Sequence, residues 1–408
     1  MRILFLSHYF PPEVNAPAHR TFEHCREWVR MGHEVHVVTC VPSHPLGRPF
    51  EGYRRRWHQQ EVMDGVTVHR VFTFLAPNKG TYRRALNYVS FVPTAVWRAL
   101  RLGKFDIVIA TSPQFFCAVA GWVSASMKGA PWVFELRDLW PESIAAVGAM
   151  KRSLALRAVE KLELHLYRSA AGVACVTQAF IENLTGRGIP PEKCTFVPNG
   201  VVAEEWGGLA GLEIRARQGV GPSELMVSYI GTVGMAHAIE VVLDTAETLD
   251  HGLPVRFFVV GDGARLGELR SQALKRGLSN VTFTGLVPHE EAKRYLAASD
   301  LILVHLRRSE LFKTVLPSKM FEAMAAGKPI VLGVEGEAKA VLERSGAGVA
   351  VPPEDPQALA AAIEALGGSP ETREKMGQAG RAFVEREFSR AAWGRRYEAW
   401  LRGIVAGG

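Results

Sequence analysis

Short apolar runs rich in Val and Ile alternate along the chain with stretches of helical length. Continuous apolar runs of strand length, bounded by turn residues, read as strands covered on both faces. Their alternation with helical segments reads as βαβ units and parallel sheets. In the first half the pattern predicts strands at 3–7, 35–39, 66–71, 107–111, 133–136, 172–176 and 195–197, with a helix over 18–31 stopped by Gly32. The stretch 199–223 breaks the rhythm: it is glycine-rich, carries Asn199-Gly200 and has no long apolar run, so it reads as an interdomain linker. A second series follows at 226–230, 255–260, 281–284, 301–304, 330–332 and 348–351. Two doubly wound α/β domains are expected, 1–200 and 201–388, with a cleft between them. The tail 389–408 carries Trp393, Tyr397, Trp400 and Leu401 at helical spacing and can dock on either domain.

The composition is that of an ordinary globular chain: 408 residues, 48% apolar and 22% charged, which excludes a disordered or fibrous protein. The net charge of +7 is modest, but residues 48–104 hold eleven Lys/Arg (Lys79 among them) against three acids. Five dispersed cysteines without Cys-x-x-Cys spacing suit reduced thiols. The first apolar run is too short for a signal peptide, and the longest uncharged stretch, 107–127, is broken by Thr111-Ser112-Pro113. A cytoplasmic protein is expected.

Strand one is followed by His8-Tyr9-Phe10-Pro11-Pro12-Glu13, without the glycines a dinucleotide site needs, and after Gly261-Asp262-Gly263 the next glycine, Gly267, is wrongly spaced. A nicotinamide or flavin oxidoreductase is disfavoured. Phosphate-type signals lie in the second half. Tyr229-Ile230-Gly231-Thr232-Val233-Gly234 closes a strand with two glycines, a turn common both at anion sites and in plain βα units. In 313–329, Pro317 suits a first helical turn, Gly327 and Pro329 end the helix, and Phe321, Met324 and Ala325 form its buried stripe. Lys319 and Glu322 then read either as a solvated ion pair or as a diphosphate ligand and a ribose acceptor.

Val197-Pro198-Asn199-Gly200-Val201, Gly261-Asp262-Gly263, 281–285, Ala298-Ser299-Asp300 and 317–327 occur in order. Together they resemble the retaining GT-B glycosyltransferases of family 4, particularly the bacterial branch that builds surface polysaccharides and lipid-linked sugars. The resemblance runs from Met1 to about Phe388. It implies an acceptor-binding first domain, a nucleotide-sugar-binding second domain and a last helix that returns to the first. It implies that Glu322 binds the ribose, and that Gly285, Leu286 and Val287 recognise the base beside Gly261, Asp262 and Gly263. Gly231, Thr232, Gly234 and Lys319 then face the diphosphate. Thr314 stands where the family has a first glutamate that positions the donor sugar, so Thr314 or the main chain of Val315 and Leu316 takes that task. The family's Arg and Lys after the first glycine turn are replaced by Met235, Ala236 and His237. Lys319 therefore leads as the phosphate ligand, with Lys313 and Arg307 in reserve.

The family's Gly-Gly pair in the first loop is also missing, which leaves Asn15 and Arg20 as cleft candidates, Arg20 equally as a solvated helix residue. The run 135–142 (Glu135, Arg137, Asp138, Glu142) ends a strand at the sheet's carboxyl edge, either as a structural ion pair or with Asp138 near a sugar. His8 reads as an acceptor contact or a structural histidine. No Asp-x-Asp and no metal-ligand spacing occurs, so neither metal nor other cofactor is expected, and Asp138, Thr314 and Lys319 are the candidates for catalysis. The expected reaction moves a hexosyl or N-acetylaminosugar unit, with retention, from a UDP-sugar to a lipid-linked or polysaccharide-precursor acceptor. The aromatic and basic segment 48–104 suits an anionic membrane surface at the inner leaflet rather than nucleic acid. The alternatives are an epimerase on the same scaffold and a catalytically silent nucleotide-sugar-binding partner.

Overall fold

The computed structural model describes residues 1–44, 46–76, 81–140, 154–208, 211–249 and 254–407; Lys79, Pro141 and Glu142 lie outside them. The chain divides into two compact units, Met1–Pro198 with Ala391–Gly408, and Asn199–Arg390.

The first unit is built on eight strands, β1 (Arg2–Leu6), β2 (Glu34–Cys40), β3 (His58–Met63), β4 (Val66–Val71), β5 (Ile107–Thr111), β6 (Trp132–Leu136), β7 (Gly172–Cys175) and β8 (Cys194–Phe196). Their order is β3-β4-β2-β1-β5-β6-β7-β8, parallel except for β3. Helices follow the strands where the apolar pattern asks for them. The helix Ala16–Arg30 starts on Asn15, whose Oδ1 accepts from the Ala18 amide at 2.9 Å, and ends before Gly32 at φ +85°. Four cysteines are buried and all five are free thiols.

Strand β3 is absent from the sequence reading. Its residues alternate polar and half-buried, with no apolar run, because it is an edge strand paired only with β4. The two-residue loop Asp64-Gly65, at φ +47° and +83°, gives both positive dihedrals a tight hairpin needs. The expected linker is likewise corrected. Within it Ala203–Trp206 forms a 3-10 turn with Trp206 buried, Leu212–Arg217 forms a helix with Ile214 buried, and both belong to the second unit.

That unit holds six parallel strands in the order β11-β10-β9-β12-β13-β14: β9 (Leu225–Ile230), β10 (Val255–Val260), β11 (Val281–Gly285), β12 (Leu301–His305), β13 (Ile330–Gly333) and β14 (Gly348–Ala350). Val227, Tyr229, Phe257, Val259 and Leu303 fill one side of its core against Val241, Leu269, Leu359 and Ile363. The strand order reverses between β9 and β12, and in the first unit between β1 and β5. Open α/β sheets bind ligands beyond the carboxyl ends of strands at such reversals.

The terminal helix Arg390–Gly407 joins the first unit. Tyr397 and Leu401 are fully buried in the core that holds Trp28 and Cys25, worth roughly 1.5–3 kcal/mol for a side chain of leucine size. His33 Nε2 meets Glu398 Oε1 at 2.6 Å, and Trp28 Nε1 donates to the Gly394 carbonyl at 3.4 Å. Among the described residues no helix is long and apolar enough to cross a membrane.

Candidate functional site

At the β9–β12 reversal the chain leaves β9 through Gly231, at φ +142°, and leaves β10 through Gly261, at φ +141°. Three loops are laced by their main chains: Gly231 N donates to Val260 O at 2.8 Å, Val233 N to Asp262 O at 3.0 Å, and Gly261 N to Gly285 O at 3.1 Å. A Cβ on Gly261 would lie 2.0 Å from Gly231 O, and one on Gly263 2.3 Å from Val233 O. These glycines are therefore explained by the close approach of two backbones. Asp262 is exposed, its Oδ1 accepting from the Gly263 amide at 2.7 Å.

The helix Ser318–Ala325 starts after Pro317 with no side-chain cap, so its first amides lack side-chain acceptors. Met320, Phe321, Ala323, Met324 and Ala325 bury its inner face, Phe321 stacking on Phe388 at 4.4 Å. Lys319 does not pair with Glu322. Its Nζ donates to Tyr229 Oη at 2.9 Å and sits 4.0 Å from that ring's centroid, while the Tyr229 hydroxyl donates to Thr232 O at 2.6 Å. No carboxylate lies within 4.0 Å of Lys319 among the described residues. A Cβ on Gly231 would come within 2.7 Å of the ammonium, so Gly231 leaves room for it. Burial lowers the Lys319 pKa to about 8 against the opposing pull of Glu322. Burial raises that of Glu322, which Lys319 and Lys293 oppose.

His237 is the residue the sequence reading passed over, counting it only as a missing Lys or Arg. Its ring stands 6.0 Å from Tyr229, its buried Nδ1 has no hydrogen-bond partner among the described residues, and burial together with the Lys319 charge lowers its pKa to about 3. A neutral imidazole there offers either a donor or an acceptor beside the ammonium. The local signal was its position just past a glycine turn. His305 fixes this loop, Nδ1 donating to His237 O at 2.8 Å and Nε2 accepting from Glu354 N at 2.9 Å.

Of the other second-unit candidates, Thr314 closes the 3-10 turn Leu311–Thr314 by donating its hydroxyl to Leu311 O at 2.7 Å. Leu316 is buried, so only its main chain is available. Lys313 pairs with Glu310 at 2.7 Å, and Arg307 lies 4.0 and 3.9 Å from Glu240 and Glu354, so neither reserve cation is uncompensated. Thr232 and Leu286 are exposed, Gly234 is half-buried, Gly285 takes φ +76°, and Val287 packs against the cluster holding Phe258 and Tyr295.

In the first unit two expectations are corrected. Asn15 is a helix cap rather than a cleft ligand. Arg20 is buried, donating to Glu135 at 3.3 Å, Pro198 O at 2.6 Å and Val197 O at 2.7 Å, because the buried Glu135 needs a counter-charge. Burial acts to raise Glu135, but Arg20, His24 and Arg137 outweigh it and hold the carboxyl below its ordinary range. Arg137 follows β6 with Nε and Nη1 lacking hydrogen-bond partners among the described residues, and burial lowers its pKa to about 9. Asp138 is the next, half-buried residue. His8 lies two residues past β1, buried, and burial lowers its pKa to about 4.

Residues 15–200 match the family described as Glycosyl transferase 4-like domain, and residues 212–383 match Glycosyl transferases group 1. The chain is built from two glycosyltransferase domains. Solved structures align along essentially all of the chain and give it the GT-B fold. Sucrose-phosphate synthase from Thermosynechococcus elongatus has a TM-score of 0.78 at 17% identity, covering 100% of both chains. Anabaena Alr3699/HepE in complex with UDP-glucose has a TM-score of 0.74 at 18% identity, covering 99% of this chain and 100% of that one. The probable glycosyltransferase WbjE of Pseudomonas aeruginosa is 27% identical over 58% of this chain and 60% of its own. The O-antigen chain mannosyltransferase C of Escherichia coli is 30% identical over 40% and 42%. The chain spans about half the length of the curated relatives it matches.

Proposed function

We propose that the glycosyltransferase transfers a sugar from a UDP-sugar to a lipid-linked or polysaccharide-precursor acceptor, with retention and without a metal. The observation that carries this reading is the Lys319 ammonium, held by Tyr229 over Gly231 with no carboxylate to neutralise it. A half-buried cation without a counter-ion favours an incoming anion, and the uncapped helix amides beside it add donors. Lys319 and these amides stabilise the charge that develops on the departing diphosphate, while Glu322 accepts from two ribose hydroxyls. The leaving phosphate takes the acceptor's proton from the front face, so no separate base is required. The Anabaena neighbour bound UDP-glucose, which makes UDP the first nucleotide to test.

The acceptor side rests on the first domain's surface. Tyr82, Leu86 and Val89 of the helix Thr81–Arg101 are exposed, as is Trp57, and so are Arg54, Arg55, Arg56, Arg83, Arg84 and Arg101 in the same segment. Arg70 does not contribute, being buried in β4 and paired with Glu61. Exposed apolar and basic side chains on one segment suit an anionic lipid surface, at about 1 kcal/mol per nearby basic residue. The test incubates the full chain with labelled UDP-sugars, with and without membrane extract. Transfer that requires extract, into a chloroform-extractable product, supports the reading; UDP binding without any turnover supports a silent binding partner, which the Thr314 hydroxyl's engagement with Leu311 favours.

A further inference from the structure

A cluster of histidines lies at the edge of the first unit's sheet, against the last turns of the helix Thr81–Arg101. The register puts it on one face. His36 of β2 pairs with Thr67, two residues before His69 of β4, and Gln60 of β3 pairs with His69. The His36 and His69 rings are nearly parallel with centroids 5.3 Å apart, and His58 of β3 stacks on His69 at 5.8 Å. Both His36 and His69 are buried.

Hydrogen-bond chemistry fixes where the protons sit. A guanidinium only donates, so Arg98 Nη2 donates to His69 Nδ1 at 3.1 Å. Burial and the Arg98 charge lower the His69 pKa to about 3, which keeps the ring neutral. Its proton is therefore on Nε2, which donates to His36 Nδ1 at 2.9 Å. His36 in turn donates from Nε2 to Glu34 Oε1 at 2.7 Å, where Arg2 Nε also donates at 2.9 Å. Two protons on the two rings satisfy all three links. A third has only His69 Nδ1 or His36 Nδ1 to go to. On His69 it meets the N–H of Arg98. On His36 it meets the N–H of His69, or turns that ring's proton round against Arg98. Either way a link breaks.

Arg98 has little else to hold it. Nη2 also donates to Gln60 Oε1 at 3.3 Å, its buried Nε has no partner, and no carboxylate lies within 4.0 Å of it among the described residues. The charges around the relay are unevenly placed. The helix brings Arg98 and Arg101, β3 brings His58, β1 brings Arg2, and Lys128 sits over Phe105, whose ring stands 5.4 Å from His36. Glu34 stands at the far end, Asp106 is engaged by the Arg2 amide, and Glu61 pairs with Arg70. We propose that the Arg98–His69–His36 relay is an acid-released latch, which holds the last turn of the helix Thr81–Arg101 on the sheet edge and lets it go when the relay takes up a proton. The same helix carries Tyr82, Leu86 and Val89, so the latch bears on the lipid-facing reading without depending on it.

The closed ring of His69 binds its proton more weakly than the opened one. The latch is therefore shut above about pH 6.5 and is lost progressively as pH falls toward about 3. The test is amide hydrogen exchange on the full chain at about pH 7.5 and about pH 5.0, corrected for intrinsic exchange, with the helix Leu154–Ser169 as control. Protection over residues 94–102 is expected to fall about 30-fold between the two, the shift for one such histidine, while the control holds. In His69→Gln the amide offers Arg98 an acceptor and His36 a donor but takes no proton, so protection should change by less than about threefold. Arg98→Met should lower protection about tenfold or more already at the higher pH. The proposal is overturned if the parent's protection is the same at both values, if the control falls as far, if His69→Gln loses as much as the parent, or if Arg98→Met leaves this turn as protected as before.

Discussion

Replacing Lys319 with Met makes a prediction whose two halves point in opposite directions. Nζ spends one of its three donors on Tyr229 Oη at 2.9 Å, leaving two for a ligand. A hydrogen bond to a charged group is worth about 1.5–3 kcal/mol net. Two unit charges 4 Å apart at an effective dielectric of 20 attract by about 4 kcal/mol before desolvation. A loss of about 2–3 kcal/mol is expected, so UDP affinity falls roughly 30- to 150-fold. Stability moves the other way. The Lys319 pKa drops from 10.5 to about 8, burial being the main cause, so the unfolded chain binds this proton more tightly than the folded one. Stability therefore rises with pH between about 8 and 10.5, and below about 8 the charge costs at most roughly 3 kcal/mol, at 1.4 kcal/mol per tenfold. Met lifts that cost and raises the melting midpoint at neutral pH. Calorimetric UDP titration and thermal melts at about pH 7 and about pH 9 read both halves, with the parent losing affinity at the higher pH relative to the variant. Unchanged UDP affinity in Lys319→Met would refute the assignment, and a fall in both affinity and midpoint would refute the electrostatic argument.

Glu322→Ala is expected to weaken UDP by about tenfold or more while leaving inorganic pyrophosphate nearly unaffected, because only the ribose contact is lost; competition calorimetry separates the two. Gly261→Ala places a Cβ 2.0 Å from Gly231 O at a φ of +141°, and urea melts should show a loss of about 2–4 kcal/mol. Arg20→Met strips Glu135 of its nearest counter-charge and should cost about 3–5 kcal/mol at neutral pH. That deficit shrinks on acidification, as the stranded carboxyl takes up a proton, which a pH series of melts would reveal. Changing Trp57, Tyr82 and Leu86 to Ser should reduce co-sedimentation with vesicles rich in anionic lipid without altering UDP affinity.

The parallel core was legible because strands such as β5, β6 and β9 are covered on both faces and read as unbroken apolar runs. Strand β3 was not, because an edge strand needs no apolar run; the readable trace was its Asp64-Gly65 turn. The 199–223 segment reads as a linker from its glycines and its lack of a long apolar run, yet it packs as part of the second unit. A Cβ on Gly211 would meet the Ala298 backbone at 2.4 Å and one on Gly207 an Arg381 nitrogen at 2.9 Å, so these glycines mark close packing. At the site, residue type and spacing exposed Lys319 and Glu322 but not their separation, which depends on Tyr229 lying across the sheet's reversal. Arg20 and Asn15 looked available only because their partners, Glu135 and the Ala18 amide, are set by folding.

The same contrast separates compensated from uncompensated buried charge among the described residues. Arg20 and Arg70 are buried with a carboxylate and with backbone carbonyls, and each is locked. Lys319 is held by a neutral hydroxyl instead, an arrangement that fixes the ammonium's position without discharging it. A carboxylate at that distance would stabilise the empty protein and compete with any incoming phosphate. Tyr229 thus supplies geometry while the charge stays unspent. Preorganisation of this kind lowers the reorganisation needed when charge develops on a leaving group, and the depressed affinity for its own proton is its cost in the free protein.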